Sequence, residues 1–150
     1  MKKPLFSMLG IVVLLALAQA ETLACTCFAP FPKFSLRARV MKARNEAQAV
    51  FTGKVLEITE DPETLSVVVK LRVGRVFKGS LPEEISIVTA WSDGLCGYRF
   101  EIGESYLVYA NGPNESSLGT SICQRTAKLS DATNDLKLLG SGKVVAKIKP

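Results

Sequence analysis

The stretch Val67-Val68-Val69-Lys70-Leu71-Arg72-Val73-Gly74 decides the fold class. Val67, Val69, Leu71 and Val73 recur at every second position against Val68, Lys70, Arg72 and Gly74. In an extended chain, successive side chains point to opposite faces, so this alternation predicts a long strand with one buried face. Toward the N-terminus, Glu60-Asp61-Pro62-Glu63 predicts a turn, and Val50 to Ile58 reads as the preceding strand, with Gly53 as a bulge site. Toward the C-terminus, Lys78-Gly79-Ser80-Leu81-Pro82 predicts the next turn and Ile85-Ser86-Ile87-Val88 a third strand. Tyr106 to Ala110 gives a fourth strand ended by Asn111-Gly112-Pro113-Asn114, and Leu118 to Cys123 gives a fifth.

Helical signals lie only at the flanks. Leu36, Val40, Ala43 and Ala47 share helical spacing, with Lys33, Arg37, Arg39, Lys42 and Arg44 at other positions. This predicts an amphipathic helix with a basic outer face, which a solvated surface accounts for without an anionic partner. Ser130 is the expected N-cap of a short helix through Leu139, with Gly140 just past its end. The expected fold is therefore mostly β: a small five-stranded closed barrel with peripheral helices. The tail from Lys143 to Pro150 is either a sixth strand or disordered.

A chain of 150 residues with 47% hydrophobic and 22% charged residues is suited to one domain and argues against disorder. It contains no His, which excludes Ser-His-Asp or Cys-His catalysis and any His-ligated zinc site. Phosphate-binding Gly loops and Gly-x-Ser-x-Gly are absent, and Gly140-Ser141-Gly142 reads as a turn. The carboxylates are scattered, and Glu83-Glu84 lies beside a proline turn. No enzyme is expected, nor a cofactor of the chain's own.

Residues 1–24 read as a signal peptide. Lys2 and Lys3 form a basic start, Leu9 to Leu17 is almost wholly aliphatic, and cleavage after Ala20 or after Ala24 fits the small-residue rule. No later apolar run approaches the length of a membrane span, so the mature protein is expected to be exported and soluble. Lipid attachment at Cys25 is a third route, against which Thr22 stands where an aliphatic residue is usual. Taking Lys2, Lys3 and Glu21 from the 19 basic and 14 acidic residues leaves 17 and 13, a net +4 that says little about partners. In an oxidising compartment, Cys25, Cys27, Cys96 and Cys123 are expected to form two disulfides. Three pairings exist; a Cys25–Cys27 link would be strained, so each should reach Cys96 or Cys123. Each bridge would close a loop worth about 4 kcal/mol in the chain-entropy model. A Cys-only metal site fits less well, because paired Cys-x-x-Cys knuckles are missing.

Cys25-Thr26-Cys27 followed by Phe28-Ala29-Pro30-Phe31-Pro32, Cys96-Gly97-Tyr98 after Thr89-Ala90, and Ser121-Ile122-Cys123 before the final helix together form a pattern. It resembles the netrin-like domain of the tissue inhibitors of metalloproteinases, from Cys25 to about Leu139. The resemblance implies a barrel of the oligonucleotide-binding (OB-fold) topology and pairing of Cys25 with Cys96 and of Cys27 with Cys123. It also implies that residues 25–150 form one domain.

The resemblance further implies a secreted, monomeric inhibitor of a zinc metalloproteinase. The α-amino nitrogen and carbonyl oxygen of Cys25 would chelate the target's catalytic zinc and displace its nucleophilic water. Thr26 would enter the protease's specificity pocket, with Cys27, Phe28, Ala29 and Pro30 running along the cleft. Ser92, Asp93, Gly94 and Leu95 would lie beside Cys25, held there by Cys96. The zinc belongs to the target, and the location implied is extracellular, or periplasmic in a bacterium. The segment from Pro30 to Asn45 has no Cys, so the family's third disulfide is missing, and residues 1–150 hold no Cys-rich C-terminal subdomain. Pro-enzyme binding is accordingly not expected. The alternative function is a non-inhibitory netrin-like module binding a protein or matrix partner. A nucleic-acid role fits poorly, because the basic positions lack interleaved aromatics.

Overall fold

The computed structural model describes residues 25–27, 34–114 and 117–145. The signal-peptide reading, Phe28, Ala29 and Pro30 lie outside these residues. The first element among the described residues is helix α1 (Leu36–Glu46), where Ser35 Oγ accepts the Ala38 N–H at 3.2 Å and so satisfies one orphan donor of the first turn. Val40 on its apolar stripe is fully buried. Its basic residues do not all face solvent as expected. Arg44 turns inward to donate to the Phe77 carbonyl at 3.1 Å, and Lys78 donates to the Asn45 carbonyl at 2.8 Å, placing a cation at the negative end of the helix.

Strands β1 (Ala49–Asp61), β2 (Ser66–Lys78), β3 (Glu84–Ala90), β4 (Ser105–Ala110) and β5 (Ala127–Lys128) follow, with helix α2 (Thr133–Leu139) and strand β6 (Lys143–Val144) last. They form one antiparallel sheet in the order β3-β2-β1-β4-β5, with β6 added to β2 beside Arg75 and Val76. The β1–β2 hairpin is its spine. Register shifts leave an extra residue on β2 opposite Phe51–Gly53 and one on β1 between Val55 and Glu57, bulges that bend the hairpin while the first half of β1 pairs with β4 along its other edge.

The period-two reading of β2 holds, with Val69, Leu71 and Val73 buried. Those residues meet Phe51, Val55, Ile87, Tyr106 and Val108 in the main core. On the other face Val50, Phe77, Leu107 and Tyr109 pack against Ala43, Leu136 and Leu139 from the two helices. β4 is therefore buried on both faces, consistent with its unbroken apolar run.

The mostly-β expectation holds as a six-stranded antiparallel sheet, whose ladder is not closed among the described residues. Two expectations need correction. Residues 118–123 are no strand: only Gly119 bridges, in parallel to Val88 and antiparallel to Asn111, before the chain turns. At that point Val88 donates to the Leu118 carbonyl and accepts from Thr120 N–H, both at 2.9 Å, so this short segment still spans from β3 to the end of β4. A Cβ on Gly119 would sit 2.8 Å from the Val88 carbonyl oxygen, which explains a glycine there. Finally, α2 starts at Thr133 with Ala132 as its N-cap residue, because Ser130 Oγ bonds Asp131 Oδ1 inside a preceding turn.

Candidate functional site

The sequence-predicted residues gather where β3 runs out. After Ala90, Trp91 N–H donates to the Leu65 carbonyl at 3.0 Å, tying this end of the sheet to the β1–β2 turn. That turn is fixed by Asp61, whose Oδ1 accepts the Glu63 N–H at 3.0 Å and whose Oδ2 accepts from Thr64 Oγ1 at 2.7 Å. The Thr64 hydroxyl is the main reason the Asp61 carboxyl lies below the usual carboxylate range.

Asp93–Leu95 forms one turn of 3-10 helix. The Ser92 carbonyl accepts from Leu95 N–H at 3.0 Å and Gly97 N–H at 2.8 Å, while Cys96 N–H donates to the Asp93 carbonyl at 3.0 Å. Cys96 takes the left-handed conformation, φ 65°, to exit this turn. Gly97 follows because nothing larger fits: a Cβ would stand 2.0 Å from the Ala90 carbonyl oxygen. Arg99 Nε reaches back to Asp93 Oδ1 at 3.0 Å across the same loop.

A second turn packs beside the first. Ile122 N–H donates to the Cys96 carbonyl at 3.1 Å, and Gln124 Oε1 and Ser121 Oγ accept from Ser121 and Cys123 N–H at 2.9 and 3.2 Å. Disulfides join Cys25 to Cys96 and Cys27 to Cys123, with Cα separations of 5.2 and 5.0 Å, inside the range a disulfide spans. Thr26, exposed between two half-buried cysteines, is thus strapped at both flanks to separate turns. The sulfurs of Cys25, Cys96 and Cys123 lie within 4.8 Å of one another, a grouping the two disulfides account for. No thiolate is left among them for metal binding.

Around the straps lies an apolar rim that the sequence did not disclose. Leu65, Trp91, Leu95 and Ile122 are 52%, 39%, 51% and 41% exposed, and they come from the hairpin turn, the β3–β4 loop and the Ile122 turn. A cleft of about 510 Å³ opens beside Trp91, walled by Tyr98, Phe100, Glu60 and Arg99. Burial raises the Tyr98 hydroxyl pKa above its usual value, so Tyr98 stays a neutral donor at physiological pH. A larger groove of about 700 Å³, lined by Leu65, Val88, Pro113 and Leu118, flanks the rim, and among the described residues its lining carries no charged side chain. The lone Trp of the chain was the available signal for this rim, but only the folded loops bring it beside Cys96.

Cys25 is thus joined covalently to the Ser92–Cys96 loop and Cys27 to the Ser121–Gln124 turn, whereas the remaining residues of the expected cleft-binding strand lie outside the described residues. Among the described residues, no helix is long and apolar enough to cross a membrane. No protein-family model matches this chain, and no curated protein matches it.

Proposed function

We propose that this chain is a metalloproteinase inhibitor that presents Cys25 and Thr26 to the catalytic centre of a zinc protease. The carrying observation is the double strap: Cys25 and Cys27 are each bonded to a different turn, with Thr26 exposed between them. Such a segment has little conformational entropy left to lose on binding, which favours a rigid, substrate-like insertion. The apolar rim of Leu65, Trp91, Leu95 and Ile122 supports the same reading, since a protease face requires a larger contact than three residues provide.

In this mechanism the Cys25 α-amino nitrogen and carbonyl oxygen become ligands of the partner's zinc and remove the water it would activate. The amine must be free and deprotonated. Cleavage after Ala24 supplies the free amine, and inhibition strengthens as pH rises toward the amine's pKa of about 8. Thr26 fills the partner's specificity pocket. We further infer an OB-like barrel, supported by Gly119, which bridges in parallel to Val88 of β3 and antiparallel to Asn111 just past β4.

The test is the intact mass and N-terminal sequence of the exported protein, followed by inhibition of a panel of zinc metalloproteinases by wild type, Thr26→Gly and Thr26→Arg. A Cys25 start, with affinity or selectivity that moves with residue 26, supports the inhibitor. A Glu21 start or a lipidated Cys25 removes the chelating amine and transfers the reading to a binding module that uses the apolar rim.

A further inference from the structure

We propose that the four cysteines form a thiol–disulfide exchange relay, entered at Cys123 and passed on to the Cys25–Cys96 bridge. The observation behind it is a distance between two different bridges: Cys25 Sγ lies 3.8 Å from Cys123 Sγ. Cys123 is also the exposed member of the set, while Cys25, Cys27 and Cys96 are half-buried. Exchange requires a thiolate to reach a disulfide sulfur, and access decides which sulfur is attacked first. Exposure selects the entry point, and proximity supplies the next acceptor.

The sequence of steps balances with a dithiol reductant as the only added reagent. One thiolate of the dithiol attacks Cys123 Sγ, the Cys27–Cys123 bond breaks, and Cys27 leaves as a thiolate that takes up a proton. The second sulfur of the dithiol attacks the mixed disulfide, closes its own ring disulfide and releases the Cys123 thiolate. Two electrons have then passed from the dithiol to this bridge.

The Cys123 thiolate now attacks Cys25 Sγ. A Cys25–Cys123 bond forms as Cys25–Cys96 breaks, and Cys96 leaves as a thiolate and is protonated. This last exchange is redox-neutral. It hands Cys25 from the Asp93–Cys96 turn to the Ser121–Gln124 turn. The two turns are already joined through Ile122 N–H and the Cys96 carbonyl at 3.1 Å, so the bridge migrates between neighbours without unfolding the sheet. The relay stands whether or not the chain inhibits a protease. If it does, the relay moves the tether of the residue that carries the zinc-binding groups.

Cys27→Ser tests the last step directly, because it leaves Cys123 reduced without any added thiol. Trypsin cuts after Lys33, Arg99 and Arg125, which puts Cys25, Cys96 and Cys123 on three separate peptides. After alkylation at neutral pH and digestion, mass spectrometry should find Cys25–Cys123 alongside Cys25–Cys96, with the alkyl label shared between Cys96 and Cys123. Cys25–Cys96 alone with the label confined to Cys123, or a Cys96–Cys123 bridge, overturns the relay.

Should Cys27→Ser fail to accumulate, the wild type is treated with one equivalent of dithiothreitol, trapped with N-ethylmaleimide and sequenced by fragmentation. Molecules that keep one bridge should then carry label on Cys27 and Cys96 together. Label only on Cys27 with Cys123, or only on Cys25 with Cys96, overturns the proposal. Protease inhibition is measured separately, so the relay and the inhibitory reading fail independently.

Discussion

The Tyr109 hydroxyl donates to Asp135 Oδ2 at 3.1 Å, in the seam between β4 and α2. Arg125 completes the arrangement from the other side, with Nε 2.9 Å from Asp135 Oδ2 and Nη2 2.7 Å from Oδ1. A buried carboxylate is tolerable only while such partners remain. Arg125→Met should therefore destabilise by about 3 kcal/mol, at the low end for a broken buried pair because Arg125 is 29% exposed. Replacing Tyr109, Arg125 and Asp135 together with Phe, Met and Leu should recover most of that loss, as measured by chemical denaturation.

The same tyrosine sets an alkaline limit. Burial first, then the negative charge of Asp135, raise the Tyr109 pKa far above the ordinary 10.0. Burial raises Tyr98 and Tyr106 as well, so all three tyrosines of the chain act in one direction. A pKa raised by folding means the unfolded state ionises first. The contribution is complete below the unfolded value and is lost as pH rises through it toward the folded one. Stability should hold to about pH 10 and then fall. Tyr109→Phe should flatten that fall while costing about 1 kcal/mol at neutral pH, read from denaturation midpoints across the alkaline range.

Gly97 should tolerate no side chain. An alanine Cβ would press on the Ala90 carbonyl oxygen from 2.0 Å, and both neighbours are backbone that cannot rotate away. Gly97→Ala should lower stability by at least about 2 kcal/mol. It should also increase Cys96 accessibility to reductant, monitored by alkylation rate.

Glu84 should matter far less than its contacts suggest. It pairs with Lys70 at 2.9 Å and Arg72 at 3.2 Å, and Lys70 followed by Arg72 holds its carboxyl below the usual range. All three side chains are more than a third exposed, where water and salt screen the attraction. Glu84→Gln should leave the denaturation midpoint nearly unchanged, with the small difference shrinking as salt is added.

Trp91 should separate binding from folding. Its ring belongs to the exposed rim beside the strapped segment and contributes one wall of the cleft. If the rim seats a protease, Trp91→Ala should weaken inhibition by about thirty-fold, roughly 2 kcal/mol. The denaturation midpoint should move by well under the equivalent amount.

The strands that alternate strictly were legible from the sequence, because a one-residue slip in β2 would have turned Val69, Leu71 and Val73 out to solvent. Residues 118–123 misled for a physical reason. Leu118, Thr120 and Ile122 share strand spacing, yet Ser121 and Gln124 side chains capture the backbone and turn it, leaving Ile122 outward. Ser130 failed as a cap similarly, since its hydroxyl is taken by Asp131 before the helix begins. At the candidate site two disulfides could be expected from the four cysteines, while their pairing came only from the family resemblance. The rim could not, because Leu65, Trp91 and Ile122 are brought together only by loops distant in sequence.

The double strap has a mechanical consequence. Ordinarily, a tug on the N-terminal side of a β protein peels the first strand away, one hydrogen bond after another. Here tension arriving at Cys25 or Cys27 passes through sulfur into two turns beyond the hairpin, 71 and 96 residues further along the chain. Force is shared between β3 and the segment ahead of α2 before any strand pair of β1 is stretched. The domain should therefore behave under traction as a covalently closed loop, extending only by the slack outside the bridges until a reductant cuts them.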